Sequence, residues 1–231
     1  MKKTPIWVHG CDGKVGRVLQ EALQDHAAYS YAGGSSSTHP VTPASLAAAP
    51  ALIDFSSAAG NAALLGVVEQ TETPLWVVVG TTGLSASQLD AWASEGALRH
   101  RVLYAPNCSL GILVLAKALQ EAKVLGALGF DIEIREVHQR NKKDAPSGTS
   151  LYLANQVTQA PSSIHSCRGG EGLGEHTVDF LGSGERLTLS HQTFSRGVYA
   201  QGALRLMTWL REQPVGFYTL DQVKLTEKGL R

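Results

Sequence analysis

Cysteine is scarce in this chain: Cys11, Cys108 and Cys167 are the only three among 231 residues. An odd, scattered set with no CxxC or Cys/His spacing proposes neither a disulfide framework nor a metal site, and it suits a reducing compartment. An excess of either charge is lacking too. Twenty Lys and Arg balance twenty Asp and Glu, which removes the electrostatic reason to expect nucleic acid as a partner. No stretch approaches the roughly 20 apolar residues of a membrane span. The opening MKKTPIWVHG carries two lysines, but its apolar run breaks at His9 and Gly10, too short for a signal peptide. A cytoplasmic protein with no metal, membrane or nucleic-acid partner is therefore expected. What is present is apolar material, 43% of the residues, enough to build the core of one large domain or two small ones.

The first hundred residues alternate short apolar runs with helical spacing. Pro5–His9 reads as a strand, followed by Gly10-Cys11-Asp12-Gly13-Lys14-Val15-Gly16 and a helix through Leu23. Strand, glycine loop and helix form the context in which backbone N–H groups at a helix start receive a pyrophosphate. Gly10, Asp12, Gly13, Lys14, Val15 and Gly16 are the candidate cofactor contacts; a glycine turn with no ligand is the plainer alternative. A second strand near Tyr29–Gly33 leads to Gly34-Ser35-Ser36-Ser37-Thr38-His39, which has no acid for an adenosine ribose. Ser35 and Ser36, with Lys14 or Arg17 nearby, could instead receive a 2′-phosphate, so NADPH is expected over NADH; a surface turn is the competing reading. Thr42–Pro50 reads as a short helix or connector. Strands at Leu52–Ser56, Pro74–Val79 and Val102–Ala105, with helices at Ala58–Gln70, Leu89–Leu98 and Leu110–Leu125, complete a pattern expected of a parallel sheet buried on both faces. Ser109 is a candidate cap for the last of these helices. Gly80-Thr81-Thr82-Gly83 lies at the carboxyl end of its strand, where such sheets bind ligands.

From Phe130 the pattern changes. Phe130–Val137 alternates apolar and charged residues, the mark of a half-buried strand, and delivers His138 to the polar loop Gln139–Asp144. Pro146 precedes Ser147-Gly148-Thr149, which opens a helix through Leu151, Leu153 and Val157. A titratable His, two Lys, an Arg and a helix start with unpaired N–H groups meet within twelve residues. That combination suits a small anionic substrate that must also receive a proton. His138 is the natural proton donor, Lys142 a point charge or alternative donor, and Ser147, Gly148 and Thr149 donors to a carboxylate. Lys143 reads as solvated, Asp144 as orienting the loop, and His176 and His191 as structural. Strands at Thr177–Leu181 and Arg186–His191 flank Gly182-Ser183-Gly184, and Arg168–Gly174 reads as a mobile glycine loop. Two domains are expected. Residues 1–108, with 200–231 packing back, form an α/β Rossmann-like dinucleotide-binding domain. Residues 109–199 form an α+β substrate and oligomerisation domain on a mixed or antiparallel sheet, with hinges near Asn107–Leu110 and Arg196–Gln201.

The run Glu136-x-His138-x-x-x-Lys142-x-Asp144-Ala145-Pro146-Ser147-Gly148-Thr149 resembles the signature of the dihydrodipicolinate reductase family. The likeness extends to Gly10–Gly16, Gly80–Gly83, Ala105–Gly111, Gly174-Glu175-His176-Thr177, Gly184–Leu187, His191 and Ser195-Arg196, nearly the whole chain. It implies nicotinamide-dependent reduction of a cyclic dicarboxylate to tetrahydrodipicolinate in lysine and diaminopimelate biosynthesis, and a homotetramer. Under it Gly80, Thr82, Ala105 and Asn107 contact the cofactor, and Thr82, Gln139 and Lys142 the substrate. Two departures stand out: Gln139 replaces a usual second His, and the chain is short between Gly34 and Asp54. Competing readings are another NAD(P)-dependent reductase or amino-acid dehydrogenase, which leaves the His138–Thr149 run unexplained, and a non-catalytic nucleotide sensor.

Overall fold

The computed structural model describes residues 2–94, 99–157 and 163–224. In chain order its elements begin with β1 (Thr4–His9), α1 (Lys14–Gln24), β2 (Tyr29–Ser35), α2 (Pro43–Ala47), β3 (Ala51–Asp54) and α3 (Ala58–Val68). Next come β4 (Trp76–Val79), α4 (Ala86–Ala93), β5 (Arg101–Tyr104), α5 (Leu110–Ala122), α6 (Val124–Ala127) and β6 (Asp131–His138). The chain continues through α7 (Gly148–Val157), β7 (Ser163–Arg168), β8 (Glu175–Leu181), β9 (Arg186–Gln192), α8 (Gly197–Arg211) and β10 (Gly216–Thr219). It divides into two compact units, one of residues 1–108 plus 197–231 and one of residues 109–196.

The first unit carries a six-stranded sheet in the order β10-β5-β4-β3-β1-β2, parallel throughout. Continuous apolar strands make this possible: Leu52, Ile53, Val77, Val78, Val79, Val102 and Leu103 have no exposed surface. Each such side chain is worth about 1.5–3 kcal/mol of burial. The strand order reverses beside β1, so the carboxyl ends of β1, β2 and β3 frame a crevice, the ligand site of doubly wound sheets. Local signals place the helices. Ser57 caps α3 by accepting from Gly60 N–H, and Thr42 caps α2 with Pro43 in its first turn. β10 carries no clear sequence signal, because GFYT is too short to show a period.

The second unit is built on a mixed sheet, β7-β6-β8-β9, with β6 and β7 parallel through α7 and the other pairs antiparallel. One face packs on α5 and α7 through Ile112, Leu115, Leu119, Leu153, Ile134, Val178 and Phe180. β7 escapes sequence reading because SIHSCR is a polar edge strand with little burial. The helix expected to reach Leu125 ends at Ala122, and Ser109 makes no side-chain cap to it. The Ser109 hydroxyl pairs instead with His191 Nε2 at 3.2 Å. Leu98, the expected end of a further helix, lies outside the described residues.

Candidate active site

Alternation along β6 turns Ile134, Glu136 and His138 inward and Arg135 and Val137 outward. A carboxylate thus goes inside where a valine is left out: Glu136 is 1% exposed and Val137 41%. A buried charge is tolerated only when paired and hydrogen-bonded, and Glu136 is both. It accepts from Ser147 N–H (3.1 and 3.2 Å to its two oxygens), Ser150 Oγ (2.5 Å) and Arg168 Nη2 (2.7 Å). Burial alone would raise its pKa. The hydrogen bonds from Ser147, Ser150, Arg168 and Ser166 outweigh burial and hold it well below the usual carboxylate range.

Two buried histidines, His138 and His176, flank this anion. The rings of His138 and His176 meet edge to face at 5.0 Å, and His176 stands opposite His191 across β8 and β9. His138 Nδ1 lies 3.5 Å from Glu136, within ion-pair range but beyond a well-formed hydrogen bond. Burial lowers the pKa of His138; Glu136 opposes this, while Lys142 and Arg168 add to it. His176, more deeply set, is pushed down to about 4 by burial and then by His138. Glu136, His138 and His176 have the spacing of metal ligands. Arg168 and three protein hydrogen bonds already occupy the carboxylate, so we read the cluster as a hydrogen-bonded one.

The loop after His138 folds back on a Lys142 N–H to Gln139 carbonyl bond of 3.1 Å. Lys142 Nζ donates to both carboxylate oxygens of Asp144 at 2.8 Å, and Arg168 donates to the Asp144 carbonyl. Burial disfavours ionised Asp144, but the bond and charge of Lys142 prevail and lower its pKa. Lys143 is exposed. The glycine run read as a mobile loop is bonded alongside: Gly169 N–H to the His138 carbonyl, Gln139 N–H to Gly172 and Arg140 N–H to Gly170. Gly174, at φ +154°, is required here, because a Cβ would sit 2.9 Å from His138 Nε2.

The expected residues divide when placed. His138, Lys142, Gly148 and Thr149 share the loop and first turn of α7. Ser147 does not fit its expected role as a carboxylate contact. It is 1% exposed, its N–H serves Glu136, and its hydroxyl pairs with Ser150 and His176. Sequence reasoning missed the part played by Glu136, Arg168 and Ser150, while His176, read as structural, is buried and hydrogen-bonded to Ser147. The two-residue period from Ile134 could have turned Glu136 inward; nothing comparable marked Arg168.

In the first unit, a cavity of about 630 Å³ opens at the ends of β1, β2 and β3. Gly10, Asp12 and Gly13 line one side, Ser36 and Ser37 another, and Pro40, Val41, Ala63 and Val67 an apolar wall. Gly10, at φ +80°, has no room for a Cβ against the Phe55 carbonyl, so only backbone approaches the start of α1. Amide donors at a helix start beside an apolar slot fit a dinucleotide's pyrophosphate and adenine. Ser35 requires a correction. It is fully buried, its hydroxyl pairs with Trp7 Nε1 (3.0 Å) and His9 Nδ1 (2.8 Å), and it supports the loop rather than facing a ribose. Ser36, one residue on, faces the cavity. Lys14, Val15 and Gly16 form the first turn of α1. Gly80 and exposed Thr82 follow β4, and Ala105 and Asn107 follow β5. Beneath Thr82, buried Asp54 accepts from Asn61 Nδ2 (2.8 Å), Thr81 Oγ1 (2.8 Å) and Ser56 N–H (2.9 Å), and Trp92 Nε1 donates to Asn61 (2.9 Å).

Comparison with known proteins covers nearly all of the chain. Residues 4–108 match the family described as dihydrodipicolinate reductase, N-terminus, and residues 111–223 the corresponding C-terminus. A 4-hydroxy-tetrahydrodipicolinate reductase of Caldanaerobacter subterraneus is 35% identical, with 96% of this chain and 98% of that protein covered. One of Campylobacter jejuni is 33% identical over 94% and 97%. The dipicolinate-bound dihydrodipicolinate reductase of Paenisporosarcina sp. TG-14 superposes with a TM-score of 0.76 at 18% identity, covering 96% of this chain and all of that one.

Proposed function

Because the chain belongs to the dihydrodipicolinate reductase family, we propose that it reduces 4-hydroxy-tetrahydrodipicolinate to tetrahydrodipicolinate with NAD(P)H. The observation that carries this reading is the loop from Glu136 to Thr149, where a proton donor, a cation and a helix start converge. When bound, the nicotinamide supplies the hydride. Gly10, Gly13 and the first turn of α1 would hold the pyrophosphate, and Ser36 and Ser37 the adenosine ribose, without the charge repulsion an acid would impose on a 2′-phosphate. NADPH is therefore the preferred partner.

The second unit's residues perform the rest. Lys142 offers its charge to a substrate carboxylate, exchanging part of its pairing with Asp144. Gly148 and Thr149 present donors at the positive end of α7. The 4-hydroxyl of the substrate leaves as water, and His138 gives up the proton that balances the transferred hydride, so the products are tetrahydrodipicolinate, water and the oxidised nicotinamide. The same reading extends to a homotetramer, tested by a solution mass about four times 24.6 kDa.

The deciding experiment mixes purified protein with freshly generated substrate and follows NADPH absorbance. Oxidation that depends on substrate supports the proposal. NADPH binding without oxidation would overturn it in favour of a nucleotide sensor.

A further inference from the structure

The family signature contains Glu136, but the reaction above leaves it without a task. We infer that Glu136 is a positioning residue: its carboxylate receives the Nδ1 proton of His138, leaving Nε2 as the nitrogen that exchanges a proton with substrate. The inference rests on His138 being the proton donor.

The geometry carries it. Nδ1 is sealed from solvent and makes no well-formed hydrogen bond among the described residues; Glu136 Oε2 stands 3.5 Å away. A Cβ at Gly174 would lie 2.9 Å from Nε2, so the glycine leaves that nitrogen uncrowded. Glu136 cannot drift, because Ser147 N–H, Ser150 Oγ and Arg168 hold it from α7 and β7. One carboxylate therefore registers the histidine against the helix start that the substrate is proposed to use. Neutral imidazole carries its proton on one nitrogen only, and an acceptor beside the other selects the tautomer.

The charges facing His138 come from every neighbouring element. Glu136 on β6 and Asp144 on the loop favour its protonated form; Lys142 on the loop and Arg168 on β7 oppose it. His176 on β8 touches its ring, and His191 on β9 stands behind His176. Glu136 is the closest anion and lies in the buried interior, so removing its charge lowers the affinity of His138 for a proton.

The test combines ring-nitrogen NMR of ¹⁵N-histidine-labelled full-length protein with pH–rate profiles. In the wild type, neutral His138 is expected to carry its proton on Nδ1. Glu136→Gln should move it to Nε2, lower kcat about 10–100-fold and shift the His138 limb of kcat/KM downward by about one unit. Ser150→Ala removes a hydrogen bond from Glu136 but keeps the charge, so tautomer and limb should stay in place even if the fold is less stable. A folded Glu136→Gln protein with both readouts unchanged overturns the inference. If that variant does not fold, an Nε2-protonated His138 in the wild type overturns it instead. The spectrum needs no turnover, so an inactive wild type would refute the proposed reaction while the tautomer still decided this point.

Discussion

His138 and Lys142 divide the proposed chemistry, and kinetics separates them. His138→Gln should lower kcat about 10²–10⁴-fold, the range for loss of a general acid. Lys142→Ala should lower kcat and also raise KM for the dicarboxylate, since a carboxylate partner goes with it; wild-type KM in that variant would exclude Lys142 from binding. At the proposed cofactor site, Ser36→Asp should weaken NADPH binding relative to NADH by setting an acid against the 2′-phosphate, measured as a ratio of Kd values. His176 acts on stability. Its ordinary pKa of 6.5 falls to about 4 on folding, chiefly through burial. The unfolded chain therefore takes up the proton first as pH drops. The contribution of His176 declines between about pH 6.5 and 4 and levels off below, a change on the order of 3 kcal/mol. His176→Gln should flatten that part of a Tm-against-pH curve, leaving the loss at lower pH as Glu136 becomes protonated.

At the scale of elements, the ends of strands do the positioning. β3 ends in Asp54, which gathers Ser56, Asn61 and Thr81 and so fixes the turn that presents Thr82. Asp54→Asn should cost about 1–3 kcal/mol, because an amide would aim N–H groups at existing donors, and should weaken NADPH binding several-fold; urea unfolding and titration read the two effects. Sequence placed Asp54 within the strand Leu52–Ser56 but gave no means of seeing its side-chain partners, which are 7 and 27 residues further on. The parallel sheet was legible because its central strands are apolar from end to end. β7 and β10 were not, since edge strands bury too little to impose a period. In β6 the period itself was legible, yet a charged residue on the buried face reads as a break in the pattern until Ser150 and Arg168 are found around it. His138 and Lys142 were visible because loop and helix start are adjacent in sequence; Ser35 was misplaced because its partners, Trp7 and His9, lie on another strand.

At the scale of the molecule, the chain leaves the first unit after Cys108 and re-enters at Gly197. Gly202 on α8 packs so closely on the Cys108 carbonyl that a Cβ would overlap it. Five helical residues separate Gly197 from that contact, roughly 7.5 Å. Replacing residues 109–196 by a Gly/Ser linker of about six residues should therefore leave a folded protein that binds NADPH within a few-fold of the parent and reduces nothing. Stopping after Arg196 should instead give an aggregating product, because Ala203, Leu204, Leu206, Met207 and Leu210 of α8 are buried in the native chain. The same strand order fixes a timetable for synthesis. β5 is complete at Tyr104, but its neighbour β10 begins at Gly216. At about 5–20 residues per second the ribosome needs on the order of 6–22 s to cross that interval. Throughout it the nascent sheet carries an unpaired parallel edge, while the intervening residues are already free to fold. Slower translation or a missing holdase should therefore reduce soluble yield through residues 76–104 long before it touches the loop after His138.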